Sequence, residues 1–166
     1  ESRIIESCAR ALMAQRWPAL EIIFVADRCT DDTVDILRRV TAGDERVRII
    51  ENHHCPDDWA GKCNAARLGA AGARGRWLIF MDADTMADPD LIRAAVTSAI
   101  DRGSALLSLL TQLTLRTIYE RRTQTVACMM LMTLYPPDRV NRERSPRPFA
   151  NGQFMLFDRT WYESIN

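Results

Sequence analysis

Lysine is all but missing from these 166 residues: of the 22 basic side chains 21 are arginine, and the one lysine is Lys62. Such usage points most simply to GC-rich codons, and it singles out the place where a lysine was kept. An excess of either charge is missing too, since 22 acidic residues balance the basic ones. No chain-wide field therefore draws in nucleic acid, and a charged ligand must be held locally. Cysteines in C-x-x-C spacing do not occur, and Cys8, Cys29, Cys55, Cys63 and Cys128 make an odd number. Neither a disulfide framework nor a zinc site is signalled, and a reducing, cytosol-facing compartment is the simpler expectation. The longest apolar run, Val126 to Met132, stops far short of the ~20 residues that a spanning helix needs. Neither G-x-G-x-x-G nor G-x-x-x-x-G-K-[ST] is present, which removes the dinucleotide and P-loop fingerprints. No basic-then-apolar leader follows Glu1, so no targeting signal is read here, and the chain shows no repeat or low-complexity tract.

What is present alternates. Nearly half of the residues are hydrophobic, enough for one sizeable core, and 1–166 reads as a single domain. Ile4, Ile5, Cys8, Ala9, Leu12 and Met13 recur at helical spacing and predict a helix from about Ser2 to Gln15, ending near Trp17-Pro18. Ile22 to Val25 is short and apolar on both faces, as a strand between two helix layers should be, and it halts at Asp27. Thr30 or Asp31 can cap a helix carrying Val34, Leu37 and Val40, with Gly43 as its exit. A strand at Val47 to Ile50, a helix from about Lys62 to Ala73 and a strand at Trp77 to Met81 follow. Asp88-Pro89 announces a further helix, closed by Gly103 before a strand at Ala105 to Leu109. This order predicts an α/β fold with a Rossmann-like, mostly parallel sheet and helices on both faces. From Thr111 the pattern changes to a helix over Thr117 to Leu134, a charged loop over Arg139 to Pro148, a strand within Phe149 to Phe157, and a last helix beginning near Trp161.

Ligands of open α/β sheets sit beyond the carboxyl ends of the strands, where Asp27, Asp82 and Asp84 all fall. Carboxylates on neighbouring loops suit a hard divalent cation that shares oxygen ligands with substrate phosphates. Such a cation stabilises charge on a departing diphosphate. D-x-D spacing alone is a weak signal, because aspartate is common in turns and caps.

Context strengthens it. EIIFVADRCTDDT (21–33), WAGKCNAARLGAAGARGRWLIFMDADT (59–85) and NGQFMLFDRTWYESI (151–165) together resemble the inverting family 2 glycosyltransferases of the GT-A fold. In that family a strand with an acidic end followed by S-T-D contacts the nucleotide, G-K-x-x-A opens a helix and D-A-D ends the next strand. Three ordered motifs spread over nearly the whole chain are far more specific than any one. The resemblance implies transfer of a sugar, with inversion, from a nucleoside diphosphate sugar such as a UDP-sugar, aided by Mn2+ or Mg2+. It implies a nucleotide-binding half over 1–110 and the start of an acceptor-binding half over 111–166. It sets Asp27 on the donor's nucleobase, Asp82 near the ribose and diphosphate, and Asp84 on the metal with Asp82, and it counts Ala83 between them among the donor-binding residues. Gly61 would let the backbone approach the nucleotide, where its plainer role is a turn before a helix. Lys62 would offer phosphate a compact charge, where its plainer role is a solvated surface lysine.

LYPPDRVN (134–141) followed by ANGQFMLF (150–157) is similar to the subgroup linked to hopanoid and ceramide-type lipid glycosylation. That implies a membrane lipid as acceptor, with Asn151, Gly152 and Gln153 on the acceptor side. It also implies that the helix carrying Met129, Met130, Leu131 and Met132 lies against the bilayer, in a bacterial protein working at the membrane's cytoplasmic face. A methionine stripe more often serves core packing, and a strand-entry turn would explain Asn151 to Gln153 as well. Ala26 departs from the family's frequent acidic pair, and Arg28-Cys29 stands where Gly-Ser is common, which bears on the choice of base. The family's first strand would precede Glu1 in the middle of the sheet. Its catalytic base, an aspartate in an E-D motif, would follow Asn166, so no base is nominated within this chain. Without that strand the neighbouring edges would be exposed and the isolated chain prone to aggregate, and it is not expected to turn over by itself.

His53, His54, Cys55, Asp57 and Asp58 match no usual zinc spacing and read as a solvated loop. Arg139 to Arg147 reads the same way, with anionic headgroups or phosphates as the alternative. Two rival functions remain. A nucleotidyltransferase should carry a glycine-rich basic loop after a first strand, and a non-catalytic receiver-like module should carry its lysine after a late strand rather than before D-A-D.

Overall fold

The computed structural model describes residues 2–142 and 145–165. Helix α1 (Ser2–Met13) turns Ile5 and Ala9 inward, where they meet Leu37 of α2 (Thr33–Val40) and Ile22 and Phe24 of strand β1 (Ile22–Asp27). Strand β2 (Val47–Asn52) pairs with β1 in parallel, Ile22 opposite Val47 and Asp27 opposite Asn52. Helix α3 (Gly61–Gly72) packs on β1 from the side of Val25, near Gly69. Neighbouring residues of a strand point to opposite faces, so helices cover both faces of this pair.

A second layer begins with β3 (Trp77–Met81) and α4 (Leu91–Arg102), followed by β4 (Leu106–Ser108). Ile92, Ala95, Val96 and Ala99 of α4 bury against Phe154 and Leu156 of β5 (Phe154–Asp158). Gly103 adopts φ 61°, and the N–H of Ser104 returns to the carbonyl of Ala99, the left-handed exit for which glycine is suited. Leu20 packs against both clusters, and buried Gln15 ties them: its side chain donates to the carbonyl of Asp88 at 2.6 Å and accepts from the N–H of Ile92 at 3.1 Å.

Strand direction departs from the sequence reading. Among the described residues only β1 and β2 pair in parallel, whereas β5 runs antiparallel between β3 and β4. Strand–helix alternation predicts parallel neighbours when each connection is one crossover. Between β4 and β5 the chain instead makes a long excursion through α5 (Ile118–Leu134) and α6 (Pro137–Val140), and a hydrophobic strand pattern carries no record of direction after it. Helix α6 is itself unanticipated, and Pro137 at its first turn is the signal that could have revealed it. A last helix, α7 (Arg159–Ser164), closes the described chain. The α/β class, the strand positions and most helix boundaries stand within a few residues of expectation.

Helix α5 stands apart. Thr117 and Glu120 form a reciprocal capping box at its start, yet residues 116–130 are exposed on every side and only Leu131 and Met132 are half-buried. Among the described residues no helix is long and apolar enough to cross a membrane.

Candidate functional site

The carboxyl ends of β1 and β3 and the start of α3 supply the site. Asp27 closes β1, and parallel register brings Asn52 beside it from β2. The Asp27 Oδ1 atom accepts from Asn52 Nδ2 at 2.5 Å, and Oδ2 accepts from Arg28 Nε at 3.1 Å and Nη2 at 2.8 Å. The Arg28 hydrogen bonds hold the Asp27 carboxyl below its ordinary range against the opposing effect of burial, with further help from Asn52 and from the guanidinium charge. Asp27 is thus an anion at neutral pH.

Arg28 leaves the strand at φ 51°, and its guanidinium lies so close to Gly61 that a Cβ there would overlap it. Gly61 therefore does more than begin a helix: its missing side chain leaves room for the Arg28 guanidinium, which any Cβ would displace, and for Asp27 Oδ2, which would stand 3.2 Å from that Cβ. The next residue, Lys62, reaches the other strand end: its Nζ donates to Asp82 Oδ1 at 2.6 Å. One two-residue step, Gly61-Lys62, links the ends of β1 and β3.

Beyond β3, Ala83 packs toward the cluster around α1 and β1, while Asp84 is exposed. Its charge reaches Cys8 of α1, whose thiol is pushed up to about 11, by burial first and by Asp84 second. Among the described residues no three His, Cys, Asp or Glu side chains come together as a metal site. Asp82 and Asp84 are suited instead to a cation that completes its shell with ligand phosphates and water.

Asn151, Gly152 and Gln153, expected on the acceptor side, lie next to this group. The Asp82 N–H donates to the carbonyl of Gln153 at 3.2 Å, and a Cβ on Gly152 would stand 3.9 Å from Lys62 Nζ. The Asn151 and Gln153 side chains are drawn inward. Asn151 Nδ2 donates to Leu109 O at 3.1 Å and Gln153 Oε1 at 3.0 Å, and Thr111 Oγ1 also bonds Gln153 Oε1. This network secures the entry of β5 against the end of β4. A small cavity of about 110 Å3 lies beside it, walled by Leu110, Leu131, Met132, Tyr135, Val140 and Phe149 among others.

In the sequence Arg28 stands out only as a departure from the family pattern, and Asn52 carries no motif. The signal for Asn52 was the equal length of the two strands, which sets their last residues opposite each other.

Over the whole described chain the structure is similar to a mannosyltransferase from Pyrobaculum calidifontis, solved in complex with GDP-Man and Mn2+. The TM-score is 0.74 at 18% identity, and the match spans 100% of this chain and 44% of that one. The architecture is the GT-A fold of nucleotide-sugar transferases. The profile described as Glycosyl transferase family 2 matches residues 1–165, and the chain belongs to that family. An uncharacterized glycosyltransferase of Escherichia coli K12, YibD, is 30% identical over 95 residues, which are 57% of this chain and 26% of its own. The Escherichia coli UDP-Glc:alpha-D-GlcNAc-diphosphoundecaprenol beta-1,3-glucosyltransferase WfaP is 31% identical over 80 residues, 48% of this chain and 30% of its own. The chain thus spans less than a third of the length of these relatives.

Proposed function

We propose that this chain forms the donor-binding part of a glycosyltransferase that passes a sugar, with inversion, from a nucleoside diphosphate sugar to an acceptor. The Gly61-Lys62 step carries the reading, because Gly61 lies against Asp27 and Arg28 at the end of β1 while Lys62 pairs with Asp82 at the end of β3. Asp27 would accept from the nucleobase. Residues 1–110 would serve the donor, and 111–166 would begin the acceptor side. Lys62 and the first turn of α3 would meet the diphosphate, exchanging the exposed Lys62–Asp82 ion pair for phosphate contacts. Asp84 and Asp82 would hold Mn2+ or Mg2+ together with the diphosphate, and the cation would stabilise charge on the leaving group. The mannosyltransferase solved with GDP-Man and Mn2+ supports a donor and metal of this class. Calorimetric titration of UDP and of GDP, each with and without Mn2+, tests the reading. At least one should bind, about tenfold or more tightly with the metal; a folded chain that binds neither removes the donor site.

The acceptor we propose is a membrane lipid, with the protein at the membrane's cytoplasmic face. Support comes from α5, which exposes Val126, Met129, Met130 and Leu134. Residues 116–147 carry seven arginines against three acidic residues in a chain that is neutral overall, a charge pattern suited to anionic headgroups. WfaP, whose acceptor is a diphosphoundecaprenol-linked sugar, is a relative of that kind. Co-sedimentation with phosphatidylglycerol vesicles should capture the protein. The double substitution Met129→Glu, Met130→Glu should weaken capture about tenfold or more; equal capture of both proteins would rule out α5 as the contact.

A further inference from the structure

We propose that Arg28 reads the donor's nucleobase and selects guanine, a refinement that rests on the donor-site reading above. Among the described residues Arg28 is the one non-glycine with positive φ, at 51°. Side chains with a Cβ adopt that conformation only against a steric cost, and glycine would fill the position freely. What Arg28 gains there is an ion pair with its neighbour Asp27, at a side chain still 50% exposed. Such pairs contribute little to stability, so the strained backbone is unexplained by folding and points to use of the guanidinium itself.

The left-handed turn carries the side chain back across the end of β1, over Gly61, and its backbone N–H donates to Asn52 O at 2.7 Å. A carboxylate offers about four lone-pair positions. On Asp27, Arg28 Nε and Nη2 fill the Oδ2 side and Asn52 Nδ2 takes one position on Oδ1. One acceptor position therefore remains on Oδ1. A guanidinium has five N–H donors, of which Arg28 spends only its Nε hydrogen and one Nη2 hydrogen on Asp27. The pair presents a charged acceptor beside a planar fork of unused donors.

Guanine complements that pattern. Its N1–H can reach the Asp27 acceptor while O6 and N7 take the fork, the bidentate geometry that arginine makes with guanine. Uracil flanks its N3–H with two carbonyls, but beyond O4 lies the C5 hydrogen and beyond O2 the ribose-bearing nitrogen, so on either side one fork donor finds no second acceptor. Adenine has no carbonyl at all. The second charge-assisted hydrogen bond, which guanine makes and uracil lacks, is what separates the bases.

Titration of GDP and UDP, both with Mn2+, into the wild-type chain, Arg28→Gly and Arg28→Lys, with a thermal melt of each, tests this. The wild type should bind GDP about tenfold or more tightly than UDP. Arg28→Gly should melt no lower than the wild type, lose about tenfold in GDP affinity and hold UDP within about twofold. Arg28→Lys, a point charge without a fork, should lose the same preference and serves as the second probe should the glycine variant fold poorly. A GDP-to-UDP ratio unchanged in both variants, or a wild type that prefers UDP, overturns the role of Arg28 and leaves the donor site standing. Binding of neither nucleotide by the folded wild type overturns the donor site, and this role with it.

Discussion

Asp84→Ala is expected to remove the metal-dependent gain in nucleotide affinity while leaving the fold intact. Outer-shell partners of metal ligands already contribute about 10–100-fold to metal affinity, so under the proposed role loss of Asp84 as a direct ligand should cost about a hundredfold or more. The fold should not notice. Asp84 is exposed, and substitutions at such positions fall within about 0.5 kcal/mol of neutral. One local trace is expected: with the Asp84 charge gone the Cys8 thiol loses the smaller of the two influences that raise it and becomes more acidic. Asp82→Ala should behave differently, because it also frees Lys62 from its 2.6 Å partner. The freed ammonium can turn to phosphate, so metal-free binding should hold or strengthen although the metal-dependent gain falls. Titrations with and without Mn2+ separate these patterns. If Asp84→Ala kept its full response to Mn2+, the cation would have to be bound elsewhere.

Phe154→Ala is expected to give the largest loss of stability of any single change in the chain. Phe154 is 1% exposed, packs among Ile92, Ala95, Val96 and Ala99, and lies on the strand that bonds neighbours on both sides. A strand held on two edges cannot slide to close a hole. Truncating a buried phenylalanine costs about 3–5 kcal/mol, a large share of the roughly 5–15 kcal/mol that holds a domain together. For a chain of this size the melting temperature should fall by roughly 10 °C or more. Phe154→Leu, which keeps most of the volume, should cost far less. Because Phe154 pairs with Met81, directly before Asp82, a folded leucine variant should also weaken nucleotide binding slightly. Thermal and denaturant melts check the first claim, and a shift under about 2 °C for the alanine variant would mean that β5 is not central to the core.

The positions of Asp27, Lys62, Asp82 and Asp84 were legible in the sequence because each follows a short apolar strand or opens a helix. Local pattern and motif order fix such positions without knowledge of the fold. The inward turn of Asn151 and Gln153 was not legible, since their partners Leu109 and Thr111 lie some forty residues away in the chain. The exposure of α5 was equally hidden. Its residues 123–134 carry no charge, a composition that serves a buried helix and a docking helix alike.

By itself the sequence determined the class of fold, the order of its strands and helices, and the residue types at the strand ends, because these depend on neighbours within a few positions. Only tertiary structure decided that β5 runs antiparallel, that Asn52 and Arg28 both engage Asp27, and that Lys62 bridges to Asp82. Each of those depends on which distant segments meet and in what direction. Pairing of that kind is settled by the packing of the whole core, and no local pattern encodes it.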